Sequence, residues 1–228
     1  MTARVMLDAA ASWFLGAACP LCGAPTAGVC APCSAELAAV SPGVVADAEV
    51  TIVAATTYAD PWRGAVVAFK ERGARSLEAP LGEALARAAA RVLLGRPDWE
   101  PAEGIDLVPM PSRAAAVRAR GLDTTRVLAR RTARVLRGTG LDAGVDACLR
   151  HRRRVTDQAE LTIAERRRNL EGALVARPQR RRPMLVVDDL TTTGASVHEA
   201  VRALREAGCD VVGAAVVCGV AALVPKRP

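Results

Sequence analysis

The stretch Met184-Leu185-Val186-Val187-Asp188-Asp189-Leu190-Thr191-Thr192-Thr193-Gly194-Ala195-Ser196 constrains the fold more than any other. It joins an unbroken apolar run to an acidic pair and then to a turn of small hydroxylated residues. Met184 to Val187 lacks polar alternation, as a strand covered on both faces of a parallel sheet does. Asp188 and Asp189 then fall at the strand's C-terminal end, the edge at which open α/β sheets bind ligands. Thr191 to Ser196 offers successive backbone N–H groups, hydroxyls and a glycine able to take unusual dihedrals, directly before the helical pattern Val197, Val201, Leu204. Amides converging on a helix N-terminus favour a phosphate, so the string reads as a sugar-phosphate site. Taken singly, an acidic strand end or a hydroxyl-bearing helix start is commonplace. Joined in this order, they point to a ligand.

Other phosphate-binding patterns fit less well. The chain has no G-x-G-x-x-G for a dinucleotide and no G-x-x-x-x-G-K-[ST] for a P-loop, and a receiver domain would use its aspartates without the Thr-Thr-Gly-Ala-Ser turn.

Periodicity elsewhere repeats the strand–helix alternation. Val50 to Tyr58 reads as a strand and Pro61 to Lys70 as a short helix opened by proline. Leu77, Leu81, Leu85, Ala88, Ala89 and Val92 mark a crossover helix ending before Gly95 and Pro97. Ile105 to Met110 is the next strand, Ser112 to about Arg137 is one kinked helix or two broken at Gly121, and Val145 to Leu149 is a further strand. Thr162-Ile163-Ala164-Glu165 has the form of a capping box opening a short helix. Helix Ala195 to Ala207, with Gly208 at its end, and strand Asp210 to Val217 complete a doubly wound, mainly parallel α/β sheet.

Composition bounds the partners. A chain of 228 residues with 51% apolar content can bury a sizeable core. Arg150 to Arg182 holds eleven arginines against Asp157, Glu160, Glu165 and Glu171, which accounts for an excess equal to the whole net charge of +7. A local basic excess suits an anionic partner, either a pyrophosphate or a nucleic-acid backbone, where a solvated loop is the bland alternative. Six aromatic residues, Trp13, Phe14, Tyr58, Trp62, Phe69 and Trp99, form no ladder for stacking single-stranded bases.

Near the N-terminus, Cys19-Pro20-Leu21-Cys22 and Cys30-Ala31-Pro32-Cys33 form a C-x2-C, x7, C-x2-C array. Each pair can turn tightly enough to offer two thiolates to one tetrahedral zinc, and a four-thiolate site leaves no open position for catalysis. Two disulfides or four unrelated thiols are the alternatives, and disulfides are disfavoured in a chain without an export signal. Val5 to Ala18 is apolar but interrupted by Asp8, which suits a short helix packing on the body better than an export signal and leads to a cytoplasmic expectation. No run reaches the roughly 20 apolar residues of a membrane-spanning helix. Cys148, Cys209 and Cys218 lack ligand spacing and read as small core residues. The expected division is residues 1–45, an N-terminal helix and zinc element, and 46–228, the main domain.

With these pieces in place, the chain resembles the ComF family, phosphoribosyltransferase-like proteins with an N-terminal four-cysteine element, some linked to natural transformation in bacteria. Besides the cysteine pairs and the 184–196 string, the carriers are Tyr58 through Phe69-Lys70 and Gly73, Val108-Pro109-Met110-Pro111, Arg120-Gly121-Leu122, and Thr156, Gln158, Leu161, Glu165-Arg166 and Asn169. The same features look like the phosphoribosyltransferase domain of glutamine-dependent amidophosphoribosyltransferases. The resemblance implies the type I phosphoribosyltransferase fold and 5-phosphoribosyl 1-pyrophosphate (PRPP) as ligand. Asp188 and Asp189 would hold the ribose hydroxyls and Leu190, Thr191, Thr192, Thr193, Gly194, Ala195 and Ser196 the 5′-phosphate. Pro109 to Arg113, including Pro111, Ser112 and Arg113, would be the pyrophosphate loop, and Arg152 to Gln158 a flexible loop closing over the ligand.

A pyrophosphate leaving group needs charge compensation, which arginine forks and Mg²⁺ supply. Arg113, Arg118, Arg120, Arg153, Arg154 and Lys70 are the candidates. His151 and His198 have no identifiable partner in the sequence. Asp123 and Thr124 stand where family members commonly carry Asn and Gln. Two functions follow: transfer of the phosphoribosyl group to an unidentified nitrogen acceptor, or a zinc-containing module that binds DNA or a DNA-uptake protein around a non-catalytic, PRPP-sensing domain.

Overall fold

The apolar periodicity that predicts alternating strands and helices is realised in a computed structural model describing residues 17–46, 49–152, 170–177 and 182–220. In chain order its elements are α1 (Ala31–Ala38), β1 (Gly43–Ala46), β2 (Ile52–Thr57), α2 (Trp62–Arg72), α3 (Glu78–Leu94), β3 (Ile105–Pro109), α4 (Ala114–Arg120) and α5 (Thr124–Gly138). There follow β4 (Ala143–Val145), β5 (Leu149–His151), β6 (Leu174–Ala176), β7 (Met184–Thr191), α6 (Ala195–Glu206) and β8 (Val211–Gly219). The central sheet has the order β1-β2-β8-β7-β3-β4. Its edge strand β1 runs antiparallel to β2, and every other neighbouring pair is parallel.

Both faces of the sheet are covered, which is why its central strands carry apolar residues at consecutive positions. Val53, Ala55, Leu185, Val187, Ala215 and Val217 pack on one side with α2, α3 and α5, whereas Ile52, Ala54, Met184, Val186, Ala214 and Val216 pack on the other with α6. From β3 the chain crosses to β4 by α5 on the first face. From β7 it crosses to β8 by α6 on the opposite face. The chain therefore departs in opposite directions from the adjacent C-terminal ends of β3 and β7, opening a crevice there. The pairing of these two strands continues past β3, where the Met110 N–H donates to the Val187 carbonyl at 2.9 Å.

Three expectations are refined. The strand expected at Val145 to Leu149 is two short strands: β4 ends at Val145 in the main sheet, and β5 begins at Leu149 in a separate antiparallel ribbon with β6. The chain has to leave the sheet edge between them to form the second layer. β7 continues to Thr191 because its pairing with β8 runs through Leu190 and Thr191, so both aspartates lie inside the strand. The segment after Ser112 is two helices, with Gly121 between them at φ 66°.

The β5–β6 ribbon is clamped to α6 by Glu199, a buried carboxylate. It accepts the Leu174 N–H at 2.9 Å and the Arg202 guanidinium at 2.7 and 2.8 Å, while Arg202 also donates to the Leu174 carbonyl at 3.1 Å. Burial opposes the Glu199 charge, but the hydrogen bonds from Arg202 and Leu174 hold its carboxyl below the usual range. At the other end of the chain, α1 packs on α3 with Leu37 fully buried, and Arg87 donates to the Ala38 carbonyl at 2.7 Å. Among the described residues no helix is long and apolar enough to cross a membrane. The helix expected around Val5, the capping box at Thr162, and Arg153, Arg154, Thr156 and Gln158 lie outside the described residues.

Candidate functional site

β7 delivers its acidic pair to the crevice, and α2 delivers the cation that meets it. Lys70 lies on the last turn of α2, 119 residues away in sequence, and its Nζ is 3.0 Å from Oδ1 and 2.8 Å from Oδ2 of Asp189. Asp189 is almost fully buried, whereas Asp188 is half-buried and its Oδ1 accepts the Asp189 backbone N–H at 2.8 Å. Removal from water and the neighbouring Asp189 carboxylate push Asp188 up to about 8, with Lys70 offsetting part of the rise. Burial works against the Lys70 charge, but attraction and a hydrogen bond from Asp189, with Asp188 behind it, keep its pKa above the ordinary lysine value. One ammonium thus compensates one of two carboxylates. The uncompensated one, a hard oxygen donor, fits ribose hydroxyls or a divalent cation such as Mg²⁺.

Beyond the pair, Leu190 is half-buried and Thr191 buried, whereas Thr192, Thr193 and Ser196 are exposed. Gly194 caps α6 at φ 76°, a left-handed conformation. The left-handed φ favours glycine, and a Cβ here would come within 3.1 Å of Ile52 Cδ1 and 3.3 Å of the His198 ring, so these side chains would have to give by a few tenths of an ångström. The first backbone bond of α6 runs from the His198 N–H to the Gly194 carbonyl at 2.9 Å, leaving the amides of Ala195, Ser196 and Val197 ahead of it. Thr193 Oγ1 accepts the Ala195 N–H at 3.4 Å. A helix start with small side chains and outward amides is an anion site in waiting.

On the β3 side of the crevice, Pro111, Ser112 and Arg113 border a cleft of about 1000 Å³ that extends along α4 and the start of α5 to β5. Ser112 Oγ donates to Asp123 Oδ1 at 2.9 Å, and the same carboxylate caps α5 by accepting the Arg126 N–H at 3.2 Å. Asp123 therefore has a structural task that needs only an acceptor oxygen. Arg118 lines the cleft. Arg120 does not: its guanidinium pairs with Glu71 at 2.9 Å, beside Lys70 on α2.

His151 has a hydrogen-bond partner, whereas the buried His198 Nδ1 has none among the described residues. The His151 Nε2 lies 2.9 Å from the Pro111 carbonyl, tying the ribbon to the turn after β3, and His198 Nδ1 lies 3.5 Å from Glu49. Glu71, Asp123 and His151 thus join the site's surroundings; only the Ser112–Asp123 spacing offered a local hint of this. Arg154 lies outside the described residues.

The cysteines assemble ahead of β1, around the start of α1. Gly23, at φ 75°, turns the first pair, and Cys30 leads into α1, so the four Sγ atoms lie within 4.8 Å of one another. A zinc bound at about 2.3 Å to each corner of a tetrahedron needs sulfur separations of about 3.8 Å, and Cys22 and Cys30 stand 3.5 Å apart. The hydrogen bond with Cys30, burial and the other sulfurs drive the Cys33 thiol far up, as expected of clustered thiols whose joint ionisation needs a cation. The cluster can hold a zinc ion. It leans on α2, since Arg72 donates to the Pro20 carbonyl at 3.3 Å and Leu21 packs against the core near Gly64.

Comparison with known proteins agrees with this geometry. Residues 125–227 match the family model of the phosphoribosyl transferase domain. An orotate phosphoribosyltransferase of Bacillus caldolyticus is 37% identical over 84 residues, covering 34% of this chain and 40% of that protein. An orotate phosphoribosyltransferase of Bacillus pumilus (strain SAFR-032) is 52% identical over 48 residues, or 21% of each. The chain thus spans less than half the length of either relative. The match and the mostly parallel sheet identify a type I phosphoribosyltransferase fold.

Proposed function

We propose that this chain binds PRPP with Mg²⁺ and transfers its phosphoribosyl group to a nitrogen nucleophile, releasing pyrophosphate. The observation that carries this reading is the meeting, at one crevice, of the Asp188–Asp189 pair with its Lys70 partner and the open N-terminus of α6. Asp188 and Asp189 accept the ribose hydroxyls, and the amides and hydroxyls of Thr192 to Ser196 hold the 5′-phosphate. Arg113 and Arg118, beside the turn after β3, face the departing charge. As the C1–O bond breaks, pyrophosphate leaves with the bonding pair, the nitrogen bonds to C1 and its proton passes to water. Positive charge developing on the sugar is stabilised by the acidic pair, with Asp188 giving up to solvent the proton it holds in the free chain. Bound with the substrate, Mg²⁺ would neutralise part of the pyrophosphate charge. The four cysteines hold a structural zinc.

The ComF-type resemblance and the orotate phosphoribosyltransferase relatives support PRPP as the shared substrate and leave the acceptor to be identified. The DNA-handling alternative rests on the transformation link of the ComF resemblance, the zinc element and the basic loop, and most arginines of 150–182 lie outside the described residues.

The test is a calorimetric titration of PRPP with Mg²⁺ into the zinc-loaded chain, with the Asp188→Asn/Asp189→Asn double variant as control. Binding that disappears in the variant is expected. Equal binding by both proteins, or none by a folded wild type, rejects the reading.

A further inference from the structure

The last turn of α2 meets three separate parts of the molecule through three consecutive side chains. Lys70 reaches Asp189 on β7 at 2.8 Å, Glu71 reaches Arg120 at the end of α4 at 2.9 Å, and Arg72 donates to the Pro20 carbonyl of the cysteine element at 3.3 Å. Gly73, at φ 66°, then ends the helix, and the Ala74 N–H donates to the Ala68 carbonyl at 3.1 Å, fixing where the turn stops. One turn of helix therefore carries both the counter-charge of the acidic pair and a contact with the metal-binding loops.

The other contacts of the cysteine element converge on the same helix. Leu21, inside the first C-x2-C pair, has its Cδ2 3.9 Å from where a Cβ at Gly64 on α2 would stand. Together with Val29, just ahead of Cys30, it packs against the core that α2 shares. Gly28 closes on the turn after α2, where its Cβ would lie 3.4 Å from Ser76 Cβ. Pro20, Leu21, Gly28 and Val29 all lie within or between the cysteine pairs, so their positions depend on the four sulfurs being held together. Four thiolates repel one another unless they share a cation, and it is these turns that differ between the loaded and the empty element.

The body of α2 does not depend on the metal. Trp62, Ala65, Val66, Ala68 and Phe69 are buried and anchor it on the core. What the cysteine element adds is the setting of the last turn, where Lys70 stands. A displacement of about 1 Å is enough to break the hydrogen bond to Asp189, and that carboxylate, 3% exposed, is then left without its counter-charge.

Resting on the PRPP-binding reading above, we infer that the cysteine element, when loaded with zinc, controls PRPP affinity through the last turn of α2. Zinc loading and PRPP binding each strengthen the other by the same factor, because both favour the one setting of this turn in which Lys70 meets Asp189.

The experiment titrates PRPP with Mg²⁺ into three forms of the full chain: the zinc-loaded wild type, the same protein after chelation, and zinc-loaded Leu21→Ala/Arg72→Ala. The double variant keeps all four cysteines and removes the contacts with α2. Thermal melts and zinc content accompany each titration. Chelation is expected to weaken PRPP binding about fivefold or more, and the double variant to bind PRPP more weakly than wild type while keeping its zinc. In the reciprocal arm, competition with a chromophoric chelator measures the zinc affinity of the wild type with and without PRPP and Mg²⁺. Zinc should be held more tightly with PRPP, by about the factor that chelation costs. Any zinc captured by PRPP in solution works against this result and does not mimic it. PRPP affinity indifferent to zinc removal in a folded chain overturns the inference, as does wild-type affinity in the zinc-loaded double variant. If the chelated chain unfolds or the variant sheds its metal, the reciprocal arm decides: equal zinc affinity with and without PRPP overturns the inference. Failure of the zinc-loaded wild type to bind PRPP rejects the transferase reading and this inference with it, whereas PRPP binding without linkage to zinc rejects the inference alone.

Discussion

The ammonium of Lys70 sits 2.8 Å from one carboxylate oxygen of Asp189 and 3.0 Å from the other, bridging α2 to the end of β7. The contact holds together two elements that separate routes through the chain bring to the crevice. Replacing Lys70 by Met leaves a buried carboxylate without its counter-charge. Because the Lys70 side chain is 36% exposed, the expected loss is about 2 kcal/mol, below the full cost of breaking a buried pair. Urea unfolding of both proteins at pH 7 measures it, and an unchanged midpoint contradicts it.

The raised pKa of Asp188 has a signed consequence. With a folded value of about 8 against roughly 3.9 for a free aspartate, the folded chain keeps a proton that the unfolded chain releases. The unfolded state then binds fewer protons, so this group makes stability fall as pH rises from about 4 to about 8, by at most about 1.4 kcal/mol per pH unit. Asp188→Asn should flatten that stretch and be the more stable protein at pH 8. Parallel unfolding profiles for the two would remove the basis for the claim.

At Gly194, alanine meets two penalties, the left-handed φ of 76° and the 3.1 Å approach to Ile52. Gly194→Ala should cost about 1–2 kcal/mol and weaken PRPP binding at least tenfold, because the amides ahead of α6 move with the turn. A melt combined with a PRPP titration separates the two effects. Retention of full affinity places the phosphate elsewhere.

Zinc content should be one ion per chain, measured by atomic absorption on the purified protein. A strong chelator should lower the melting temperature by several degrees, since ligand release withdraws the binding energy that closes the cysteine turns. Cys33→Ser should do the same without chelator. Melting that is indifferent to both treatments would make the cluster four ordinary thiols.

Sequence alone determined the features whose causes are local. The unbroken apolar run before Asp188 reflects burial on both sides of one strand, the Thr-Thr-Gly-Ala-Ser turn reflects the dihedral and amide demands of one helix start, and the cysteine spacing reflects two tight turns around one point. Periodicity also placed α3, β3 and α6 to within a few residues. Partner choice was not local. Arg120 and Lys70 look interchangeable as cationic helix residues, yet the packing of α2 against the body sends Lys70 to Asp189 and Glu71 to Arg120. The histidine at 151 meets Pro111 only because the chain leaves the sheet after β4 and returns as a ribbon over the turn after β3. Hydrogen bonds and ion pairs act over a few ångströms, so they are decided by which elements the crossovers bring together, and tertiary structure alone carries that information.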